Sequence, residues 1–269
     1  MLFLLSPAKT LDFTPAPADL PATAPELVRE TAALAKIARK LGAADLKRLM
    51  GISDKLAELN VERFRAFDPK ATDQGVQAAL AFDGDVYRGL RARALTLEDL
   101  AWAQDRLRIL SGLYGILRPL DRIQPYRLEM GVKLANPRGP DLHAWWGERL
   151  AKSLNAAAAG QPEPTIVNLA SREYFGGVDA GRLKPPVLTC LFKQEQGGET
   201  RQLAFYAKFA RGLMARFAIQ RRVEHADDLR AFDTEGYAWR ADLSSERTWV
   251  FARPQPATKA ARLIEEAAA

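Results

Sequence analysis

The chain opens Met1-Leu2-Phe3-Leu4-Leu5-Ser6-Pro7-Ala8-Lys9-Thr10, and the reading of this stretch decides the fold. An apolar run this short, closed by Ser-Pro, predicts a buried strand whose ladder ends where proline has no N–H to give. Residues just past the carboxyl end of a strand are favoured positions for ligand contact, which makes Ser6, Lys9 and Thr10 candidates. Lys9 could clamp a phosphate or, if desolvated, act as a nucleophile; the plainer alternative is a solvated loop lysine. No G-x-x-x-x-G-K pattern surrounds it, so a nucleotide P-loop is excluded.

Outward from this strand, Pro15, Pro17 and Pro21 predict an extended connector, and Pro25 suits the first position of a helix that Gly42 would stop. Helical spacing continues over 45–67, 72–81 and 97–107, the last opened by Thr96 with Glu98 and Asp99 as a capped start. Glycines and prolines between Leu107 and Pro140 predict short strands and tight loops. Residues 141–159 read as helix, and Gly160–Pro164 as a surface linker. Strands are predicted at 165–169 and 186–192, a turn at 194–198, and a strand at 202–207 leading into a helix over 208–220. The whole reads as one mixed α/β domain over 1–252, with helices grouped near 25–105, followed by a helical tail at 253–269.

Composition narrows the class. At 269 residues, 48% hydrophobic and 27% charged, the chain is neither disordered, nor collagen-like, nor a coiled coil. Its one cysteine, Cys190, permits no internal disulfide or thiolate cluster and fits a reducing compartment. His143 and His225 are its only histidines and have no metal-ligand spacing, so no metal and no cofactor are expected. No secretory signal or membrane span is read, and the expected location is the cytoplasm.

The formal charge of +6 is unevenly placed. Residues 201–223 carry six basic and no acidic side chains, and 106–138 carry a local +5, leaving the remainder at net −5. Solvated helix faces would explain such arginines. Tyr114, Tyr126, Phe205 and Tyr206 among them instead suit phosphate contact with base stacking. Lys208 and Arg211 are three apart and share a helix face, with Arg216 on an adjoining one.

Several motifs add to this. In Leu46–Asn60, two short amphipathic helices meet at Met50-Gly51-Ile52-Ser53, the spacing of a helix-hairpin-helix. Glycine there would let helix N-terminal amides approach a DNA phosphate, with Lys47, Arg48 and Lys55 as cationic contacts. The structural alternative is a helical hairpin with Ser53 as N-cap. Asp83 and Asp85 flank a glycine beside Tyr87 and could do acid–base work or simply make a turn. Arg127 and Glu129 stand two apart near Tyr126, as an ion pair or a cleft wall, and Ser171 and Glu173 follow a strand end.

Taken together, Leu5–Asp12, Gly84–Tyr87, Leu110–Asp121, Pro125–Gly131, Asn168–Tyr174 and Phe205–Phe217 resemble the bacterial YaaA family of peroxide stress proteins, also described as a family of unknown function. The resemblance runs from residue 1 to about 252. It implies one α/β domain of unusual topology with a positively charged cleft and a helix-hairpin-helix element, here at 45–67. It also implies DNA binding and a cytosolic role in surviving hydrogen peroxide, linked to low free intracellular iron. On this reading the DNA contacts are Lys47, Gly51, Ser53, Lys55, Arg118, Arg127, Lys208, Arg211 and Arg216. The cleft is lined by Ser6, Lys9, Thr10, Asp85, Tyr87, Tyr126, Glu129, Ser171 and Tyr206. A second class of function stays open: an enzyme acting on a nucleotide or exposed nucleobase, with Lys9, Asp85 and Glu173 as catalytic candidates.

Overall fold

Leu2–Leu5 forms a strand, and every side chain in it is buried. The computed structural model describes residues 1–71 and 74–255. In chain order the strands are β1 (Leu2–Leu5), β2 (Thr10–Leu11), β3 (Val76–Gln77), β4 (Phe82–Asp83), β5 (Leu107–Ser111), β6 (Gly115–Leu117), β7 (Arg122–Ile123), β8 (Ile166–Asn168), β9 (Val187–Gln196), β10 (Glu199–Arg201), β11 (Ala238–Trp239) and β12 (Thr248–Pro254). The α-helices are α1 (Val28–Ala38), α2 (Ala43–Met50), α3 (Asp54–Ala66), α4 (Ala78–Ala81), α5 (Asp85–Leu90), α6 (Leu97–Arg106), α7 (Leu142–Trp146), α8 (Arg149–Ala159), α9 (Arg172–Phe175) and α10 (Ala204–Arg221).

β1 lies between β5 and β8 and is parallel to both. β9 and β12 extend the parallel part, in the order β11-β12-β9-β8-β1-β5-β6. Antiparallel β6 and β11 close its two ends, and β10 folds back on β9. A strand paired on both edges and covered on both faces has no solvent side, so β1 needs no polar alternation. β9 does alternate: Leu188, Cys190, Phe192 and Gln194 are buried, while Val187, Thr189, Leu191 and Lys193 are half-buried on the other face. From β1 the chain moves to β5 on one side, then returns to β8 on the other. The strand order therefore reverses between β1 and β8, the place where open α/β sheets leave a crevice.

α10 covers this region and packs on α5, α6 and β9. It meets α5 at two glycines. A Cβ on Gly212 would stand 1.8 Å from the Val86 carbonyl oxygen, and one on Gly89 would stand 2.3 Å from that of Phe209. Only side-chain-free residues allow this approach, which fixes α10 against α5.

The main departures from the sequence expectation have local causes. The helix expected from Pro25 starts only at Val28 and ends at Ala38; Gly42 is the N-cap of α2 rather than a stop. Among the described residues of the helix expected over 72–81, only Ala78–Ala81 forms. Gly75 at φ +93 turns the chain there, and Val76–Gln77 pairs with Arg122–Ile123. The turn expected at 194–198 shrinks to Gly197-Gly198, both at positive φ, so β9 runs on to Gln196. The strand expected at 202–207 is absent: β10 ends at Arg201 and α10 begins at Ala204. Arg253 and Pro254, assigned to the tail, belong to β12, and the helix expected over 257–269 lies outside the described residues.

The glycine crossing gives a stability test. Gly212→Ala should cost about 3 kcal/mol or more in urea unfolding, because backbone on both sides blocks the methyl group. Gly160→Ala, whose methyl would meet only Ala157 O at 3.9 Å, should change stability little. Equal midpoints for the two variants would contradict the packing described.

Candidate functional site

Ser6, one residue past β1, and Ser171, three past β8, tie the two strand ends together. The Ser171 amide donates to Ser6 Oγ at 2.8 Å, and the two hydroxyls stand 3.3 Å apart. Below them, the Tyr87 hydroxyl donates to the Ser6 carbonyl at 3.0 Å. Burial, with Tyr126 and Tyr174 nearby, pushes the Tyr87 pKa well up, so this ring is a neutral donor at any physiological pH. Asn168 at the end of β8 receives the Ala170 amide at 3.0 Å, which shapes the turn into α9.

A cleft of about 410 Å³ opens above this junction, walled by Ser6, Lys9, Thr10, Asp85, Ser171, Glu173, Lys208 and Arg211 among others. An adjoining cavity of about 730 Å³ shares Ser171, Lys208 and Arg211 with it and continues over Thr189, Leu191 and Thr248. The structure thus brings together residues from the loop after β1, the start of α5, α9 and the first turns of α10. It positions them by three constraints: the β1–β8 junction, the pairing of Thr10–Leu11 with Phe82–Asp83, and the α5–α10 glycine crossing.

The charges along these walls differ in how far they are compensated. Lys9 Nζ reaches Glu129 Oε1 at 3.2 Å, and Arg127 Nη2 reaches the same oxygen at 3.0 Å. The lysine side chain is 66% exposed and the carboxylate 11%, so Glu129 is a buried anchor for the exposed Lys9. Glu173 accepts the Gly131 amide at 3.2 Å, and Asp85 stands 3.7 Å from Arg88. Arg211 is different: it is partly buried and makes no ion pair or hydrogen bond among the described residues. Burial alone pulls its pKa down, with no neighbouring charge opposing. Lys208, one helical turn earlier and exposed, has no acidic partner either.

Other expected residues stand elsewhere. Arg118 is held by Asp121 at 2.9 Å and by the Ala24 carbonyl at 3.1 Å. Arg216 donates to the carbonyls of Leu90 and Arg91 at 3.1 and 3.0 Å and lines a separate cavity. The Tyr206 ring lies 5.5 Å from the Arg253 guanidinium, away from the walls of either cleft cavity. Tyr126 is buried, bonded to Ser111 Oγ at 2.7 Å, and supports the site from behind. In the hairpin, Gly51 caps α2 at φ +61 and Ser53 Oγ caps α3 through the Leu56 amide at 3.4 Å. Lys47 pairs with Asp54 at 2.9 Å and Arg48 with Asp45 at 2.7 Å, whereas Lys55 stays exposed at the start of α3. The sequence reading missed Thr189, Thr248 and Gln202 as walls of this region. The alternation of β9 carried a signal for Thr189, since one face of that strand is left for something other than core.

Among the described residues no three of His, Cys, Asp and Glu gather, and no helix is long and apolar enough to cross a membrane. Cys190 is buried, and burial pushes its thiol up to about 12.

The architecture is that of an α/β protein whose crevice, at the switch point of a largely parallel sheet, carries polar side chains and an arginine without a partner among the described residues. The family model for peroxide stress protein YaaA matches residues 1–243. Curated relatives named UPF0246 protein cover nearly the whole chain. One from Caulobacter vibrioides is 59% identical over 256 residues, which is 95% of this chain and all of the relative. One from Phenylobacterium zucineum is 57% identical over 266 residues, 99% of this chain and again all of the relative. One from Azoarcus is 51% identical over 261 residues, 95% of this chain and all of the relative. The chain belongs to the YaaA family of peroxide stress proteins.

A buried thiol bears directly on that family description. A peroxide-sensing cysteine needs thiolate character and access, and Cys190 has neither. Native protein treated with millimolar hydrogen peroxide should give no dimedone adduct at Cys190, whereas protein unfolded in urea should give one. Rapid labelling of the native form would contradict the burial assigned here.

Proposed function

We propose that this protein binds DNA with low sequence specificity in the cytoplasm and acts in the response to peroxide stress. The observation that carries the reading is the Lys208–Arg211 face of α10, two cations on the cleft wall with no acidic partner among the described residues. A partly desolvated, uncompensated guanidinium gains most from an anion, and the DNA backbone supplies anions in series. Its neighbours in the cleft, Ser6, Ser171 and Thr10, offer hydroxyls of the kind that bond phosphate oxygens without reading sequence. The α2–α3 hairpin is a second contact on this reading, through the amides near Gly51 and Ser53 and the side chain of Lys55. Lys47, already paired with Asp54, contributes less. Arg127 acts on the shape of the site through Glu129, which Lys9 also reaches, and Arg118, held by Asp121 away from the cleft, makes no direct DNA contact on this reading.

A lowering of free iron would follow indirectly on this reading. One cysteine and two histidines form no iron store, so the effect runs through DNA or metabolism. Stoichiometric iron on the purified protein would overturn that part.

One observation favours an enzyme in the same cleft. Asp85 and Glu173 line it together with Ser6 and Lys9, and a surface that only binds phosphate has little use for carboxylates. A nucleotide or an unstacked nucleobase is the substrate class that fits. Mass spectrometry of damaged and undamaged oligonucleotides incubated with the protein tests this: released base or altered nucleotide supports it, and none across a broad panel returns the cleft to binding alone.

For DNA binding, fluorescence anisotropy with a short duplex should show affinity falling steeply with salt. Arg211→Gln and Lys208→Gln should each weaken binding to all sequences alike and reduce the salt slope by about 1. Lys55→Gln should do the same at the hairpin. Unchanged affinity and slope in all three would overturn the reading.

A further inference from the structure

α10 has a second face. At about 100° per residue, Phe209, Leu213, Arg216 and Phe217 point well away from Lys208 and Arg211. There they meet the end of α5 and the turn around Asp233–Gly236, enclosing a cavity of about 590 Å³, within the size range of small-molecule sites. Arg88 is a shared wall with the cleft; the remaining lining residues are distinct.

Four arginines reach this cavity: Arg88, Arg91, Arg216 and Arg221. Arg216 is fixed in place, donating to the carbonyls of Leu90 and Arg91. Burial lowers its pKa, Arg91 beside it adds to the effect, and Asp99 opposes it. Arg91 and Arg221 have no acidic partner among the described residues. Of the two acids on the rim, Glu235 is engaged by the buried Arg253 at 3.0 Å, which leaves Asp233 as the exposed one. The main chain is strained at the same place. Glu235, in the turn at the rim, has φ +59, whereas Arg91 at φ +50 is the left-handed cap that ends α5. A non-glycine side chain held in the left-handed region is a feature of ligand clamps.

We propose that this cavity is a separate binding site for a phosphorylated small molecule of nucleotide size. The phosphate would sit among Arg91, Arg216 and Arg221, where a dianion balances the surplus of cations. The apolar part of the ligand would lie on Phe209, Leu213 and Phe217. Asp233 at the rim disfavours a bare polyanion and suits a ligand that also carries hydroxyl or amino donors.

The test is titration calorimetry with adenosine 5′-monophosphate as probe, alongside inorganic phosphate and a duplex oligonucleotide. The nucleotide should bind one per chain and more tightly than inorganic phosphate. Arg91→Gly suits its φ and removes only the side chain, and Arg221→Gln is an exposed change, so both variants should fold. Each should weaken the nucleotide by about tenfold, the worth of one charge-assisted hydrogen bond, while Arg211→Gln leaves it unchanged. Absence of nucleotide binding at millimolar concentration would overturn the proposal, as would equal affinity for nucleotide and phosphate. Sensitivity to Arg211→Gln but not to the other two would move the ligand to the cleft. Loss of duplex binding alone in Arg91→Gly and Arg221→Gln would make the cavity part of a DNA path and overturn the small-molecule site.

Discussion

A strand hydrogen-bonded on both edges cannot shift without breaking two ladders, and β1 is such a strand, parallel to β5 on one side and to β8 on the other. Its fully apolar sequence makes any register other than the buried one costly, at roughly 1.5–3 kcal/mol for each large side chain exposed. The carboxyl ends of β1 and β8 are thereby held side by side, and the Ser171 amide bonds across to Ser6 Oγ at 2.8 Å. Everything proposed for the cleft depends on this junction, because it sets where the loop to Lys9 and the start of α9 emerge. The second dependence is the Gly89–Gly212 crossing, which brings α10 and its cations onto the same opening.

Electrostatics then separates structural arginines from free ones. Several cations in the two basic windows are held by carboxylates: Arg118 by Asp121, Arg127 by Glu129, Arg222 by Asp99 and Arg106 by Glu224. Such pairs explain why the high local charge does not destabilise the domain. Arg211 has no comparable partner, and a desolvated charge without a counter-ion is costly unless something binds it. That contrast, rather than net charge, is what directs attention to one face of α10.

How much of this was legible in the sequence depends on whether the signal is local. The apolar run before Ser6-Pro7, the capping box of Thr96 with Asp99, and the Ser53 N-cap all act within a few residues, and each forms. Ser6, Lys9, Thr10, Asp85, Ser171, Glu173, Lys208 and Arg211 were all named from their position after strand ends or on a helix face, and they share one cleft. What escaped was long-range. No local pattern shows that Asp121 takes Arg118 or that Leu90 and Arg91 carbonyls take Arg216, so these arginines looked as free as Arg211. The short strand at 76–77 escaped for the same reason, since it exists only through pairing with Arg122–Ile123, far along the chain. Tyr206 looked like a stacking platform, yet its ring faces Arg253, forty-seven residues later in the chain.

The central claim is that the cleft at the β1–β8 junction receives an anion on Arg211. The most direct measurement is the guanidinium Nε–Hε resonance of Arg211 by NMR, followed as a short duplex oligonucleotide is added. The account predicts a saturable shift and slowed solvent exchange at Arg211, with Arg118, already held by Asp121, unmoved. A protein that binds the duplex while the Arg211 signal stays unchanged would contradict it.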